Sequence, residues 1–108
     1  MSVSSSATTF NLTEDELIKL EKETELGSSS SAFRLYQYYA FFNYDESKEL
    51  YWLEIAAKLG SDVAQYNLAQ RYFYKDKNFT EAKEWMQRAS KSGHPKAKDF
   101  RSRKFERE

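Results

Sequence analysis

The chain has 108 residues, of which 40% are hydrophobic, 31% charged and 17% aromatic, and its 17 basic side chains balance 17 acidic ones. This length and composition favour one globular domain. With no cysteine and a single histidine, the chain lacks disulfides, thiolate chemistry and multi-histidine metal sites, and no apolar run approaches the ~20 residues of a membrane span. Three glycines and one proline are too few for a turn-rich β-protein, so we expect an all-α, cytoplasmic protein without cofactors.

The N-terminal part predicts a short unstructured segment followed by a helix. Residues 1–12 are rich in Ser and Thr, and we expect them to be disordered. Thr13 and Glu16 have the spacing of a capping box, which predicts a helix that runs to about Leu26. The serines at positions 28–31 are expected to link this helix to the next one.

A constant spacing recurs along the rest of the chain. The interval from Gly27 to Gly60 equals the interval from Gly60 to Gly93, and a shift by this repeat interval places Trp52 on Trp85 without a gap. Because the chain has only two tryptophans and three glycines, this coincidence indicates an internal repeat. The predicted repeats are residues 28–60 and 61–93, within a single domain at residues 13–108.

Each repeat is predicted to contain two helices. Asp45 and Asn78 occupy equivalent positions, from which a side chain can cap the second helix of the unit. Gly60 and Gly93 follow that helix, where a left-handed residue ends it at low cost. The predicted helices are residues 31–44 and 46–59 in the first unit and residues 62–75 and 79–92 in the second.

The two flanking helices resemble half-units. The N-terminal helix aligns with the second helix of a unit, and the predicted final helix, residues 95–106, aligns with a first helix. Each of these helices has a charged residue where a complete unit has a core residue. In the N-terminal helix, Glu23 stands where the first unit has Ala56. Arg101 likewise stands where the second unit has Leu68. Polar caps of this kind keep a short repeat array soluble.

The second unit combines small and aromatic residues at regular spacing. These residues are Ala64, Leu68, Ala69, Tyr72, Ala82, Trp85, Ala89, Gly93 and Ala97. The pattern resembles the Sel-one-like repeat, one of the tetratricopeptide-like helical hairpins. The resemblance implies a short right-handed α-α superhelix (a solenoid) of two helical-hairpin repeats with flanking half-unit capping helices. Tyr36 departs from the family pattern, which prefers a small residue there, and this implies a wider helix crossing.

The first helix of each unit carries aromatic and amide side chains at positions i, i+4 and i+8, a spacing that keeps them on one side of the helix. In the family that the pattern resembles, first helices line the concave surface, so this side is the expected partner-binding surface. The alternative is that, with so few units, neighbouring helices bury it as core. We call this set, together with Arg71 at its edge, the first-helix stripe, and it consists of Phe33, Gln37, Phe41, Tyr66, Gln70, Arg71 and Tyr74.

The charges are segregated along the chain although they cancel overall. Residues 1–57 carry a net charge of −6, and residues 58–108 carry a net charge of +6. This segregation favours electrostatic steering towards a charged protein partner, or head-to-tail contact between copies. The alternative is an ordinary solvated surface with chance segregation.

No constellation of catalytic residues stands out. The chain has no Walker loop, no dinucleotide-binding glycine turn and no zinc-binding helix motif, and His94, beside Pro95, is expected to cap the last helix. We therefore expect a non-enzymatic protein-protein interaction module of the adaptor or scaffold type. One specific form of this expectation is a bacterial immunity protein that binds and neutralises a toxin.

The alternative function is nucleic-acid binding through the basic C-terminal helix. Such binding requires a track of cations and aromatic rings for stacking. Here Asp99, Glu106 and Glu108 interrupt the cations, and only two phenylalanines lie near them. The basic residues are Lys96, Lys98, Arg101, Arg103, Lys104 and Arg107.

Overall fold

The structure is a computed structural model that describes residues 9–106. Within this range all regular structure is helical and no strand is present, as predicted for an all-α protein. None of the described helices is long and apolar enough to cross a membrane. Six α-helices lie wholly within the described residues, and they are α1 (Glu14–Glu25), α2 (Ser29–Phe41), α3 (Glu46–Lys58), α4 (Asp62–Gln70), α5 (Phe79–Lys91) and α6 (Ala97–Lys104). Thr9 and Phe10, before α1, are also helical.

The start of α1 is fixed by a capping box and an apolar residue in front of it. The Thr13 hydroxyl accepts the backbone N–H of Glu16 at 3.1 Å, and the Glu16 carboxylate accepts that of Thr13 at 2.8 Å. Leu12 is buried in a hydrophobic cluster that Leu17 packs against, which places both side chains of a hydrophobic staple in contact with the core. The prediction of disorder up to residue 12 is therefore wrong for Leu12, while residues 1–8 lie outside the described range.

Three turns of the same geometry end α1, α3 and α5. Each contains a glycine with a positive φ, which is 101° at Gly27, 110° at Gly60 and 100° at Gly93. The next residue donates its N–H to the carbonyl five residues back, as Ser61 does to Ala56 at 3.0 Å. This Schellman arrangement satisfies free carbonyls at the helix end and needs a residue that tolerates a positive φ. The helices end at residues 25, 58 and 91, which are one repeat interval apart.

Short polar side chains cap α2 to α5. Ser28, Asp45, Ser61 and Asn78 each accept the backbone N–H of the residue three positions further on. This confirms the predicted caps at Asp45 and Asn78. The prediction that the serines after α1 form a linker is wrong, because Ser28 is itself a cap and α2 begins at the next residue.

Helix α6 begins later than the sequence predicted. His94 Nδ1 accepts the N–H of Lys96 at 3.1 Å, and the His94 carbonyl accepts the N–H of Ala97 at 3.3 Å. These local bonds hold Pro95 and Lys96 in a turn, so regular helix begins only at Ala97 and ends at Lys104. The predicted start at Pro95 is therefore wrong. The prediction that His94 caps the last helix is also wrong, because the N-cap position is Lys96 and no side chain caps it.

The helix predicted over residues 62–75 changes form at Arg71. Helix α4 continues as a π-helical turn, Arg71–Lys75, in which the N–H of Asp76 reaches the carbonyl of Arg71 at 3.2 Å. A π-turn spans an i to i+5 bond and occurs often at functional sites. It changes the direction in which the last side chains of the first-helix stripe leave the helix.

Each helix packs mainly against the helices before and after it in the sequence, and the molecule measures 52 × 33 × 24 Å. The larger hydrophobic cluster runs from α2 to α6 and includes the buried side chains of Leu68, Met86 and Phe100. A smaller cluster joins α1 to α2 around Leu35. Burial of one side chain of this size contributes about 1.5–3 kcal/mol, so contacts between successive helices stabilise the fold.

Candidate functional site

The first-helix stripe lies along α2, α4 and the π-helical turn, and its exposure rises towards the C-terminal end of each helix. On α2 it runs from the half-buried Phe33 to Phe41, which is 42% exposed. On α4 it runs from the half-buried Tyr66 to Tyr74, which is 51% exposed. Both glutamines of the stripe are half-buried. The stripe is therefore packed at one end and accessible at the other. The sequence left open whether it is a partner-binding surface or buried core, and each end fits one of these alternatives.

The α2 part of the stripe is an aromatic cluster. The Phe33 and Tyr36 rings have centroids 5.1 Å apart, and Tyr36 meets Phe41 edge-on at 6.3 Å. Phe10, from the segment before α1, lies 4.9 Å from Phe41. Sequence reasoning did not assign Phe10 or Tyr36 to the site. The three-residue spacing from Phe33 to Tyr36, about one helical turn, was the available signal for Tyr36.

Tyr36 connects the two helices of the stripe. It is 8% exposed, and burial raises the pKa of its hydroxyl, as does the negative charge of Glu49 on α3. A hydrogen bond from the Asn67 side chain and the charge of Arg71 act on that pKa in the opposite direction. Asn67 and Arg71 belong to the chain segment of α4 and its π-helical turn, so the Tyr36 ring fills the space between α2, α3 and α4.

The α4 part of the stripe is held by contacts within the chain. The Tyr66 ring stacks on His94 with centroids 4.1 Å apart and 12° between the planes. Gln70 Nε2 donates a long hydrogen bond of 3.4 Å to the Tyr66 hydroxyl. Tyr74 meets Phe100 edge-on at 6.1 Å but keeps about half of its surface free. Tyr66 and Gln70 are thus oriented by their neighbours, whereas Tyr74 offers an accessible ring.

Arg71 is tied to the start of α3. Its guanidinium donates to Glu46 at 2.9 Å, and Lys75 also binds the same carboxylate oxygen. The Arg71 side chain is only 15% exposed, and its Nε has no hydrogen-bond partner among the described residues. Two cations therefore share one carboxylate oxygen beside Tyr74.

The basic residues of α6 are partly neutralised. Arg103 pairs with Asp99 at 2.9 Å, and Arg101 pairs with Glu106 at 3.0 Å. Lys104 lies over the Phe73 ring at 5.8 Å. These partners interrupt the continuous cation track that binding along a nucleic-acid backbone requires.

The cavity between α3, α4 and α5 has a volume of about 360 Å³ and lies next to paired polar groups. In it the Tyr72 hydroxyl donates to the Glu54 carboxylate at 3.5 Å. Burial raises the pKa of Tyr72, and the charge and hydrogen bond of Glu54 act in the same direction. The described residues contain no group of three or more His, Cys, Asp or Glu that could hold a metal ion.

The comparisons with known proteins give one partial similarity. A protein of Escherichia coli K12, named Uncharacterized protein YibG, is 44% identical over 46 residues, which are 43% of this chain and 30% of that protein. The chain thus covers less than a third of this relative. No model of a protein family matches the chain, and no solved structure matches it.

Proposed function

We propose that this chain is a non-enzymatic protein-binding module that binds a partner protein on the first-helix stripe. The observation that carries this proposal is the pair of accessible rings, Phe41 and Tyr74, which are one repeat interval apart at the ends of neighbouring first helices. Aromatic rings bury a large area while losing few rotamers, and they are favoured at recognition surfaces. Other rings pack against both members of the pair, since Tyr36 contacts Phe41, and Phe73 and Phe100 contact Tyr74.

The proposed architecture is the short right-handed superhelix of Sel-one-like hairpins, with α1 and α6 as half-unit caps. Three features support it. The turns after α1, α3 and α5 share one hydrogen-bond pattern, the ends of these helices are separated by the repeat interval, and packing is mainly between successive helices. Contacts limited to neighbouring units are typical of helical-repeat proteins, which use their extended surfaces for recognition.

The charge beside Tyr74 favours a partner with acidic side chains. Among the described residues, both Arg71 and Lys75 pair with Glu46, so a carboxylate of the partner would find a cation next to the accessible ring. In its specific form, the proposal makes the chain an immunity protein and the partner a toxin. The two forms predict the same binding surface and differ in whether the partner loses a toxic activity when bound.

The experiment compares two exposed tyrosines. Immobilised wild type, Tyr74→Ala and Tyr51→Ala are used to capture partners from native lysate, and the captured protein is identified and titrated by calorimetry. Tyr51 is 56% exposed on α3, outside the stripe, so it is the matched control. We expect Tyr74→Ala to lose at least ~1 kcal/mol of binding, while Tyr51→Ala binds as wild type does.

Two results would contradict the proposal. If Tyr74→Ala keeps its affinity but loses several kcal/mol of folding stability, on the order of 3–5 kcal/mol, Tyr74 belongs to the core and not to a binding site. If the chain instead shifts a labelled DNA duplex at moderate salt, and Lys98→Ala reduces that shift, the nucleic-acid alternative is correct.

A further inference from the structure

Helices α1 and α3 both pack against α2 and leave a groove between them. The groove has a volume of about 400 Å³ and is lined by residues of these two helices alone. Tyr51 and Leu59 in its lining are exposed, so the groove offers apolar surface to another molecule. Helix α1 supplies Glu21, Thr24 and Glu25 to the lining, and α3 supplies Tyr51, Trp52, Ile55 and Leu59.

The charges in this groove are two carboxylates without a cation. Glu21 and Glu25 are exposed and four residues apart, so they lie on one side of α1. Among the described residues they form no ion pair, neither with Lys19 or Lys22 of the same helix nor with any other cation. The ammonium group of Lys48 on α3 lies over an aromatic ring of α2 instead, at 5.3 Å from its centroid. Like charges at this spacing destabilise a helix, and a cation held by both carboxylates relieves the repulsion.

The second unit shows how this chain covers the equivalent tryptophan. One repeat interval after Trp52, the guanidinium of Arg88 lies over the Trp85 ring, at 4.5 Å from its centroid. This distance is typical of a cation–π contact. Ile55 occupies the position equivalent to Arg88, so α3 provides no cation there. Trp85 is buried, whereas Trp52 is only half-buried. The first tryptophan therefore lacks the cation that the second receives from its own helix.

The charged residues that line the two grooves differ in the same direction. The cavity between α3, α4 and α5 is lined by Glu54, Lys58 and Trp85 among others. Lys58 stands one repeat interval after Glu25, so this second groove contains a cation beside its carboxylates. The groove between α1 and α3 instead combines two carboxylates with rings and aliphatic side chains. Such a lining is complementary to a cation at the end of an apolar stem.

We propose that the groove between α1 and α3 binds an arginine side chain of another protein, whose guanidinium lies on the Trp52 ring and pairs with Glu21 and Glu25. Arginine fits because its planar guanidinium stacks on aromatic rings and its five N–H donors can serve both carboxylates. Residues 1–8 have no basic side chain and do not supply this cation. The groove shares no residue with the first-helix stripe, and the inference does not rest on the partner proposed there.

The first test is an NMR titration of the isotope-labelled full chain with the peptide acetyl-Ala-Leu-Arg-Leu-Ala-amide at low ionic strength. The chain has two tryptophans, so two indole N–H signals report on the two grooves. We expect the Trp52 signal to move to saturation and the Trp85 signal to stay in place. The same peptide with citrulline, which keeps the shape of arginine without its charge, should bind at least roughly fivefold more weakly.

Two results of this titration would overturn the proposal. A Trp52 signal that does not move with up to about 10 mM arginine peptide would show that the groove is not a binding site. Equal binding of the arginine and citrulline peptides would show that the groove takes an apolar side chain and not a cation.

Neutralising the carboxylates locates the contact. Glu21→Gln/Glu25→Gln should weaken binding of the arginine peptide at least roughly fivefold. The control is Glu14→Gln/Asp15→Asn, which removes the same charge from exposed positions of α1 that do not line the groove, and it should bind as wild type does. Equal losses in the two double variants would show a general charge effect and overturn the assignment.

A cation placed inside the groove should exclude the peptide. Ile55→Arg gives Trp52 the neighbour that Arg88 is for Trp85, so we expect it to abolish binding of the arginine peptide. Ile55→Met keeps an apolar side chain at this position and should still bind. The dispersion of the backbone signals shows whether each variant is folded, and normal binding by a folded Ile55→Arg variant would contradict the proposal.

Two tyrosine variants separate this groove from the first-helix stripe. Tyr51→Ala should weaken binding of the arginine peptide and Tyr74→Ala should leave it unchanged, which is the reverse of the pattern expected for the partner at the stripe. Failure of partner binding at the stripe therefore leaves these results intact. A Trp52 signal that moves when the protein alone is diluted would make a second copy of the chain the occupant, and would overturn the assignment to another protein.

Discussion

The ring of Tyr66 lies flat on the imidazole of His94, with their centroids 4.1 Å apart. This stack joins α4 to the turn before α6, and it lies next to Phe100, whose buried ring meets Tyr66 edge-on at 6.2 Å. Tyr66, which the sequence suggested for partner binding, therefore also connects α4 to the segment that contains His94 and α6. Tyr66 can contribute one edge to a partner, but its position depends on His94.

The first prediction concerns this stack. We expect His94→Ala to lower the free energy of unfolding by about 0.5–1.5 kcal/mol, the usual contribution of an aromatic pair beyond its area. His94→Phe retains a ring for stacking but removes the Nδ1 acceptor that binds the Lys96 N–H. It should recover most of the loss if stacking dominates. Urea unfolding monitored by circular dichroism measures both variants, and equal stability of His94→Ala and wild type would contradict the prediction.

The second prediction concerns the carboxylate shared by Arg71 and Lys75. Glu46→Ala leaves the mostly buried Arg71 guanidinium without its acceptor, so we expect a loss of about 1 kcal/mol that shrinks as salt rises. The control is Asp99→Ala, which breaks the exposed pair with Arg103 and should cost less than about 0.5 kcal/mol. If thermal unfolding shows the same small effect for both variants, the Arg71 contact has no special role.

The helix order and most helix ends could be predicted because they depend on local chemistry. Asp45 and Asn78 act as caps within one turn of their own position. The glycines act through their own φ angles. The predicted start of α6 at Pro95 was too early, because Pro95 and Lys96 form a turn in which His94 Nδ1 accepts the Lys96 N–H. The sequence pattern does not distinguish this turn from the first turn of a helix.

The candidate site could be predicted only in part, because exposure depends on which helices lie opposite. The i, i+4 spacing places Phe33 and Phe41 on one side of α2, but only the fold shows that Phe33 packs on the core while Phe41 is accessible. At Tyr36 the resemblance predicts only a wider helix crossing. The Tyr36 side chain instead connects α2 to Asn67, a contact between residues far apart in the sequence that has no local signal.

The third prediction tests the left-handed turn after α3. Gly60 has a φ of 110°, and no atom outside its immediate chain neighbours lies within 4 Å of the position where a side chain would begin. We therefore expect Gly60→Ala to cost about 1–2 kcal/mol through backbone conformation alone. A chain made by ligation with D-alanine at this position, which tolerates a positive φ, should be at least as stable as wild type. Equal losses for the two alanines would point to a steric cause instead.

The fourth prediction follows from the buried hydroxyl of Tyr36. Burial, and then the charge of Glu49, raise its pKa above the usual value of 10.0, and this outweighs the opposite effects of Asn67 and Arg71. The unfolded chain therefore releases this proton at a lower pH than the folded chain does. The contribution of the Tyr36 hydroxyl to the free energy of unfolding is fully present below pH 10.0. This contribution is lost as the pH rises through the pKa of Tyr36 in the folded chain.

Tyr36→Phe removes this titrating hydroxyl. Above about pH 10, the free energy of unfolding of the variant should therefore fall less steeply with pH than that of wild type, because unfolding no longer releases a proton from this residue. At neutral pH the loss of the hydroxyl gives a constant offset in the free energy of unfolding, which does not change the slope. Tyr72→Phe should flatten the alkaline curve in the same way, because burial and Glu54 raise that pKa as well. Urea unfolding at closely spaced pH values measures the slopes. Parallel curves for wild type and Tyr36→Phe would mean that the hydroxyl reaches solvent and that the ring does not fill the space between α2, α3 and α4.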